Sequence, residues 1–228
     1  MPRWWAIIPA RWGSRRLPGK VLAHIGGRSL LEHVWRATAA TPEFHRVVVA
    51  TDDSHVAEVA RGFGAEVERT GWADSGTARA AQVASEDVAV AVVQADQLNL
   101  EPASLTALIA TIEDAPIATL WTAYTGDPQD PARVKIRTEG VRVLDFARTV
   151  FPDAPLRQHV GLYAFAPGWL ARCVNRGRTL RAHTHDLEQL SWLDAGYSMA
   201  AREVADAGWS VDTPAQLAEA RAVFAERT

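Results

Sequence analysis

Cysteine is nearly missing from this chain: Cys173 is the single one in 228 residues. One thiol can form neither an intrachain disulfide nor a cysteine-based zinc centre, and a reducing, cytoplasmic setting is the expectation. No apolar run reaches the length of a membrane span. The first residues pass almost at once into a strand pattern, without the apolar stretch and cleavage site of a signal peptide. A large excess of charge is also missing. The net charge of -3 gives no general affinity for nucleic acid, so any anion site must be a local patch. Lysine is confined to Lys20 and Lys135, while arginine and alanine are abundant, a bias that suggests a GC-rich coding sequence and sets Lys20 apart from surface filler. With 48% hydrophobic and 22% charged residues and no repeat, the expectation is one large globular domain over residues 1–228.

What is present is concentrated in the first loop, Ala10-Arg11-Trp12-Gly13-Ser14-Arg15-Arg16-Leu17-Pro18-Gly19-Lys20. It holds four cations and no acid, follows an apolar run at 4–8 that reads as a buried strand, and opens onto a helical pattern from Ser29. Such a loop suits a polyphosphate cradle at the carboxyl end of a first strand. Taken alone, it equally suits a solvated basic turn.

Downstream, strand and helix patterns alternate. Strands are expected at 46–50, 65–68 and 88–93, helices at 54–64 and 78–85, and a loop at 70–77. That alternation predicts an α/β fold, a mainly parallel sheet wrapped by helices on both faces. From about residue 125 the rhythm changes. Pro128, Pro131, Pro152 and Pro155 punctuate short alternating segments, and a small inserted antiparallel β region is expected over about 125–165. Helices are expected again at 168–175 and 187–193, a strand near 199–203, and a last helix capped by Thr213 and started by Pro214.

Two carboxylates stand out. Asp96 follows the most apolar strand, at the sheet edge where ligands bind in open parallel sheets; it could hold a divalent metal beside a phosphate loop, or cap the helix that begins near Pro102. Asp212 precedes the last helix and carries the same pair of readings.

The loop sequence from Ile7 to Lys20 resembles the nucleotide-binding signature of the CMP-Kdo synthetases, the 3-deoxy-manno-octulosonate (Kdo) cytidylyltransferases. Further matches follow in that family's order: Val49-Ala50-Thr51-Asp52, Ser75-Gly76-Thr77 with Arg79, Val93-Gln94-Ala95-Asp96, Phe146-Ala147-Arg148, His159-Val160-Gly161-Leu162-Tyr163, Leu187-Glu188-Gln189-Leu190 and Val211-Asp212-Thr213-Pro214. The resemblance covers nearly the whole chain. It implies a three-layer α/β/α, Rossmann-like nucleotidyltransferase in which Arg11, Ser14, Arg16 and Lys20 grip the triphosphate of CTP. Asp96 and Asp212 would bind Mg2+, and Gln94 with Ser75 and Arg79 would lie near the nucleoside. Arg148, His159, Glu188 and Gln189 match positions that meet an acidic acceptor. No covalent enzyme intermediate is implied, so Cys173 reads as a core residue.

The chain also departs from the family pattern. Gln94-Ala95-Asp96-Gln97-Leu98 replaces a Gln-Gly-Asp-Glu-Pro run, Ala78 and Ser191 stand where an acid and an arginine are usual, and only eight residues separate Arg148 from Arg157. These changes spare the phosphate and metal positions and alter the acceptor's surroundings. The expectation is therefore CMP transfer to a small acidic acceptor, a small phosphonate such as phosphonoformate. A Kdo-type ulosonic acid is the alternative, and a non-catalytic nucleotide-binding protein a further one. The family's usual pairing through the inserted β region predicts a homodimer. Sedimentation velocity is expected to show that dimer, and a monomer would overturn it.

Overall fold

The computed structural model describes residues 3–14 and 16–225, so Arg15, one of the four loop cations, lies outside the described residues. The chain forms two compact units. The first comprises residues 1–84, 92–103 and 208–228, the second residues 85–91 and 104–207.

In the first unit the strands Trp4–Pro9, Phe44–Thr51 and Glu66–Arg69 run parallel, with Phe44–Thr51 in the middle. Each crossover carries a helix with its own start signal. Leu30–Ala39 is capped by Ser29, whose side chain accepts from Glu32 N, and Ser54–Gly62 by Asp53, which accepts from Val56 N. Gly76–Ala81 begins two residues earlier than the pattern at 78–85 predicts, because Ser75 takes the cap position and accepts from Ala78 N. The last helix, Pro214–Ala225, starts as expected. Thr213 accepts from Gln216 N while Gln216 Oε1 accepts from the backbone N–H groups of Asp212 and Thr213, a reciprocal capping box.

The ribbon beside the first carboxylate has no counterpart in the sequence pattern. Gln97–Leu98 pairs antiparallel with Trp209–Ser210, Leu98 opposite Trp209 and Gln97 opposite Ser210, and Val211 N donates to Asp96 O at 3.0 Å. Two-residue strands give no periodicity to read. Leu98 and Val211 anchor this ribbon in a core cluster with Ile25, Leu30, Leu217 and Ala220. Burial of each large side chain there is worth about 1.5–3 kcal/mol, which holds a pairing too short to persist by its hydrogen bonds.

The second unit is a mixed sheet. Its strands lie in the order Ala89–Val92, Arg157–Phe165, Ile117–Ala123, Met199–Glu203, Arg142–Ala147, Lys135–Glu139; the chain leaves this unit at the last residue of Ala89–Val92. Ile117–Ala123, which the sequence pattern does not single out, pairs antiparallel with Arg157–Phe165 and parallel with Met199–Glu203. Within 125–165, Lys135–Glu139 and Arg142–Ala147 form a hairpin turning at Gly140, which has φ +57°. The helices are Pro102–Ala110, Trp169–Asn175, Leu180–His185 and Gln189–Asp194. Leu180–His185, capped by Thr179, also has no counterpart in the expectations.

Gly208 opens the ribbon with φ +69°, and a Cβ there would lie 2.0 Å from Leu98 O. Neither the left-handed backbone nor the contact tolerates a side chain. Gly208→Ala is expected to cost about 3 kcal/mol or more, read as a fall in the urea midpoint. Gly64→Ala, with φ +91° and open space around the added methyl, should cost only about 1 kcal/mol. Equal losses in the two variants would contradict the close approach.

Candidate active site

The first loop is closed by its own backbone. Trp12 O accepts from Ser14 N at 3.0 Å and from Gly19 N at 2.9 Å, and Gly19 has φ +69° with the Trp12 indole against its α-carbon. That closure feeds the 3-10 turn Lys20–Leu22. Arg11 and Arg16 are exposed, Ser14 half-buried and Lys20 buried. Cations at the loop surface suit a polyanion; the buried one has a different setting.

Lys20 Nζ donates to Asp96 Oδ2 at 2.5 Å and to Asp212 Oδ1 at 2.8 Å, and Arg16 reaches the same Asp212 oxygen at 2.9 Å. Burial opposes the ammonium charge, but the two carboxylates outweigh it and hold the Lys20 pKa above the ordinary lysine value. The two carboxylates singled out in the sequence thus lie side by side. Neither caps a helix: Thr213 does so for the last helix, and Asp96 sits in the turn closed by Gln97 N donating to Gln94 O. Among the described residues no group of three or more His, Cys, Asp or Glu gathers to hold a metal. Two hard carboxylate oxygens fit Mg2+, which takes one or two carboxylates and completes its shell with phosphate oxygens and water.

Around Gln94 the packing is close. The missing Cβ of Gly76 leaves room for Gln94 Oε1 and Pro9 Cγ, which would stand 3.0 and 3.1 Å from it. Ser75 is engaged as a helix cap. Arg79 is buried and bonds Thr70 Oγ1 at 2.5 Å, Gly71 O at 3.3 Å and Asp52 Oδ2 at 2.9 Å, tying the end of strand Phe44–Thr51 to the loop before the helix.

The four residues matched to an acceptor belong to the second unit. Arg148 directs its guanidinium at three backbone carbonyls: His185 O at 2.8 Å, Pro131 O at 2.9 Å and Asp186 O at 3.0 Å. Lys135, fully buried, reinforces the same loops by donating to Asp130 O at 2.6 Å and Arg148 O at 3.0 Å. No sequence signal pointed to that role of Lys135. His159 is buried between Phe146 and Tyr163, with Nε2 2.9 Å from Thr119 Oγ1. Glu188 is half-buried and Gln189 buried at the start of helix Gln189–Asp194. Thr119, which also bonds Val160 O and Leu162 O, is a partner that sequence reasoning missed; it lies on the strand that the pattern did not reveal.

A cationic loop facing paired carboxylates at the edge of parallel strands is the arrangement of a nucleotidyltransferase. A family profile described as "Cytidylyltransferase" matches residues 5–152. The chain belongs to that family and is a CTP-dependent nucleotidyltransferase with a mixed α/β fold. The 3-deoxy-manno-octulosonate cytidylyltransferase of Synechococcus elongatus is 36% identical over 247 aligned positions, covering 100% of both chains. A solved structure of CMP:2-keto-3-deoxy-manno-octonic acid synthetase complexed with CTP matches with a TM-score of 0.93 and 31% identity, covering 99% of this chain and all of that one. The inositol-1-phosphate CTP transferase of T. maritima, at a TM-score of 0.72 and 15% identity over 99% of this chain and 98% of that one, shares the fold. Among the described residues no helix is long and apolar enough to cross a membrane.

Burial pushes the His159 pKa from 6.5 down to about 3. A histidine that resists protonation in the fold destabilises it wherever the unfolded chain takes up the proton. Its favourable neutral burial is complete above pH 6.5 and is lost as the pH falls from there toward 3. Between pH 7 and 5 this group should remove about 2 kcal/mol of stability, measured by urea unfolding, and the loss should vanish in His159→Gln. Histidine NMR of the intact protein should also show the His159 ring still neutral at pH 5. A protonated ring there would contradict the burial.

Proposed function

We propose that the chain transfers CMP from CTP to Kdo or a related ulosonic acid, with release of pyrophosphate. The observation that supports this acceptor is the full-length likeness to cytidylyltransferases named for 3-deoxy-manno-octulosonate, which extends through the segments carrying Arg148, His159, Glu188 and Gln189. The small phosphonate expected from the short stretch between Arg148 and Arg157 finds no counterpart among the relatives named above. A nucleotide-binding protein without catalysis is the weaker reading, because Lys20, Asp96 and Asp212 are all present and in contact.

On this reading Arg11, Ser14, Arg16 and Lys20 bind and orient the triphosphate, and Gln94, Ser75 and Arg79 shape the wall beside the nucleoside. Asp96 and Asp212 would hold magnesium, which when bound offsets the charge on the phosphate oxygens. An acceptor hydroxyl oxygen forms a bond to the α-phosphorus as the bond to the bridging oxygen of pyrophosphate breaks, and the hydroxyl proton passes to solvent. Charge neutralisation and positioning carry the rate in such a transfer. Burial and the Glu188 charge push the Cys173 thiol up to about 12, which keeps it protonated and outside the chemistry. Arg148 would meet an acceptor carboxylate only by giving up carbonyl partners, and His159 would act as a neutral hydrogen-bonding ring. A homodimer formed through residues 125–165 and a cytoplasmic location complete the proposal.

Pyrophosphate release with CTP, magnesium and a panel of acceptors tests it. Turnover is expected with Kdo or its 8-amino analogue and not with phosphonoformate; the reverse pattern would overturn the acceptor. Asp96→Asn should lower kcat at least about 100-fold on the working acceptor, and full magnesium-dependent activity in that variant would remove the metal role.

A further inference from the structure

The ammonium of Lys20 stands where a cation shared by Asp96 and Asp212 would stand. Its nitrogen is 2.5 Å from one carboxylate oxygen and 2.8 Å from the other, on a side chain only 11% exposed. A magnesium ion shared by these oxygens would sit about 2.1 Å from each. An ammonium that donates to both of these oxygens takes the position and the lone pairs from which one metal ion would bridge them, so the two cations compete for the same place. The carboxylates therefore have two mutually exclusive guests, one of them built into the chain.

Lysine is suited to leaving. Its charge sits on a flexible four-carbon stem, here at the first residue of a single 3-10 turn, and an anion is the partner that best replaces two carboxylates. The exposed cations Arg11 and Arg16 mark the adjoining loop as the place where a polyphosphate would arrive. Arg16, on the same Asp212 oxygen as Lys20, would be drawn to the same anion.

We propose that Lys20 is a built-in competitor for the metal: in the nucleotide-free protein its ammonium closes the Asp96–Asp212 pair to divalent cations, and a bound triphosphate opens the pair by attracting the ammonium away. The metal then loads only with nucleotide present. This inference rests on the metal role assigned to the two carboxylates under the proposed function.

Mn2+ alone, titrated into the full nucleotide-free chain and followed by the electron paramagnetic resonance of free Mn2+, tests it. Lys20→Gln and Lys20→Met, two neutral replacements, should each bind Mn2+ at least about tenfold more tightly than wild type, because apparent affinity is reduced by the fraction of molecules in which the site is blocked. Mn2+ should correspondingly raise the thermal midpoint of these variants and not that of wild type. Adding Asp96→Asn to either variant should abolish the gain. Equal affinity in wild type and both variants would overturn the competition. If that equal affinity is lost with Asp96→Asn, the carboxylates are still the metal site and only the competition fails. A gain that survives Asp96→Asn would place the ion elsewhere and overturn the inference. No Mn2+ binding by either variant would overturn it too; pyrophosphate release by wild type, weighed separately, then decides the proposed function.

Discussion

A two-residue ribbon governs the candidate site. Asp96 and Asp212 are 116 positions apart in the chain, and the pairing of Gln97–Leu98 with Trp209–Ser210 sets them side by side. The ribbon in turn needs a glycine at 208, because the carbonyl of Leu98 occupies the space where any Cβ would be. It also needs the cluster of Ile25, Leu30, Leu217 and Ala220 beneath Leu98 and Val211. Apolar burial thus fixes the distance between two carboxylates, and that distance makes room for one shared cation.

Positive charge is divided between two side chains with different chemistry. Arginine, with a rigid planar fork, is placed where several acceptors converge: Arg148 on three carbonyls, Arg79 on a hydroxyl, a carbonyl and a carboxylate. The two lysines of the chain are both buried, Lys20 between carboxylates and Lys135 between carbonyls. In a chain whose surface cations are all arginine, a compact ammonium appears only where the fold encloses it. Lys20 alone of the two is bonded to carboxylates.

Much of the candidate site was legible in residue types. The cations and glycines of the first loop suit an anion site, and the ordered matches from Ser75 to Asp212 point to cytidylyl transfer. The acceptor was less legible. The short stretch between Arg148 and Arg157 suggested a smaller acid, yet full-length likeness to enzymes named for 3-deoxy-manno-octulosonate supports the larger one. A loop length reports how much chain covers a region and says nothing of which hydrogen bonds await a ligand there. Arg148 and His159 illustrate this: the one is turned to backbone carbonyls, the other is enclosed by aromatic rings.

The sequence by itself determined the parallel strands of the first unit and the helices that follow Ser29, Asp53 and Thr213, since periodicity, those caps and the Pro214 start are local signals within a few residues. It also pointed to the reaction class, through a cationic first loop and two carboxylates that fall in the order of a known family. Only the tertiary structure decided that Lys20 lies between Asp96 and Asp212 and that Arg79 reaches the carboxylate of Asp52. Both outcomes are competitions among partners distant in the chain and brought together by packing, and such a competition has no trace in the spacing of residues along the chain. The opening loop could declare that it holds cations; the ribbon decided which anions the buried one would meet.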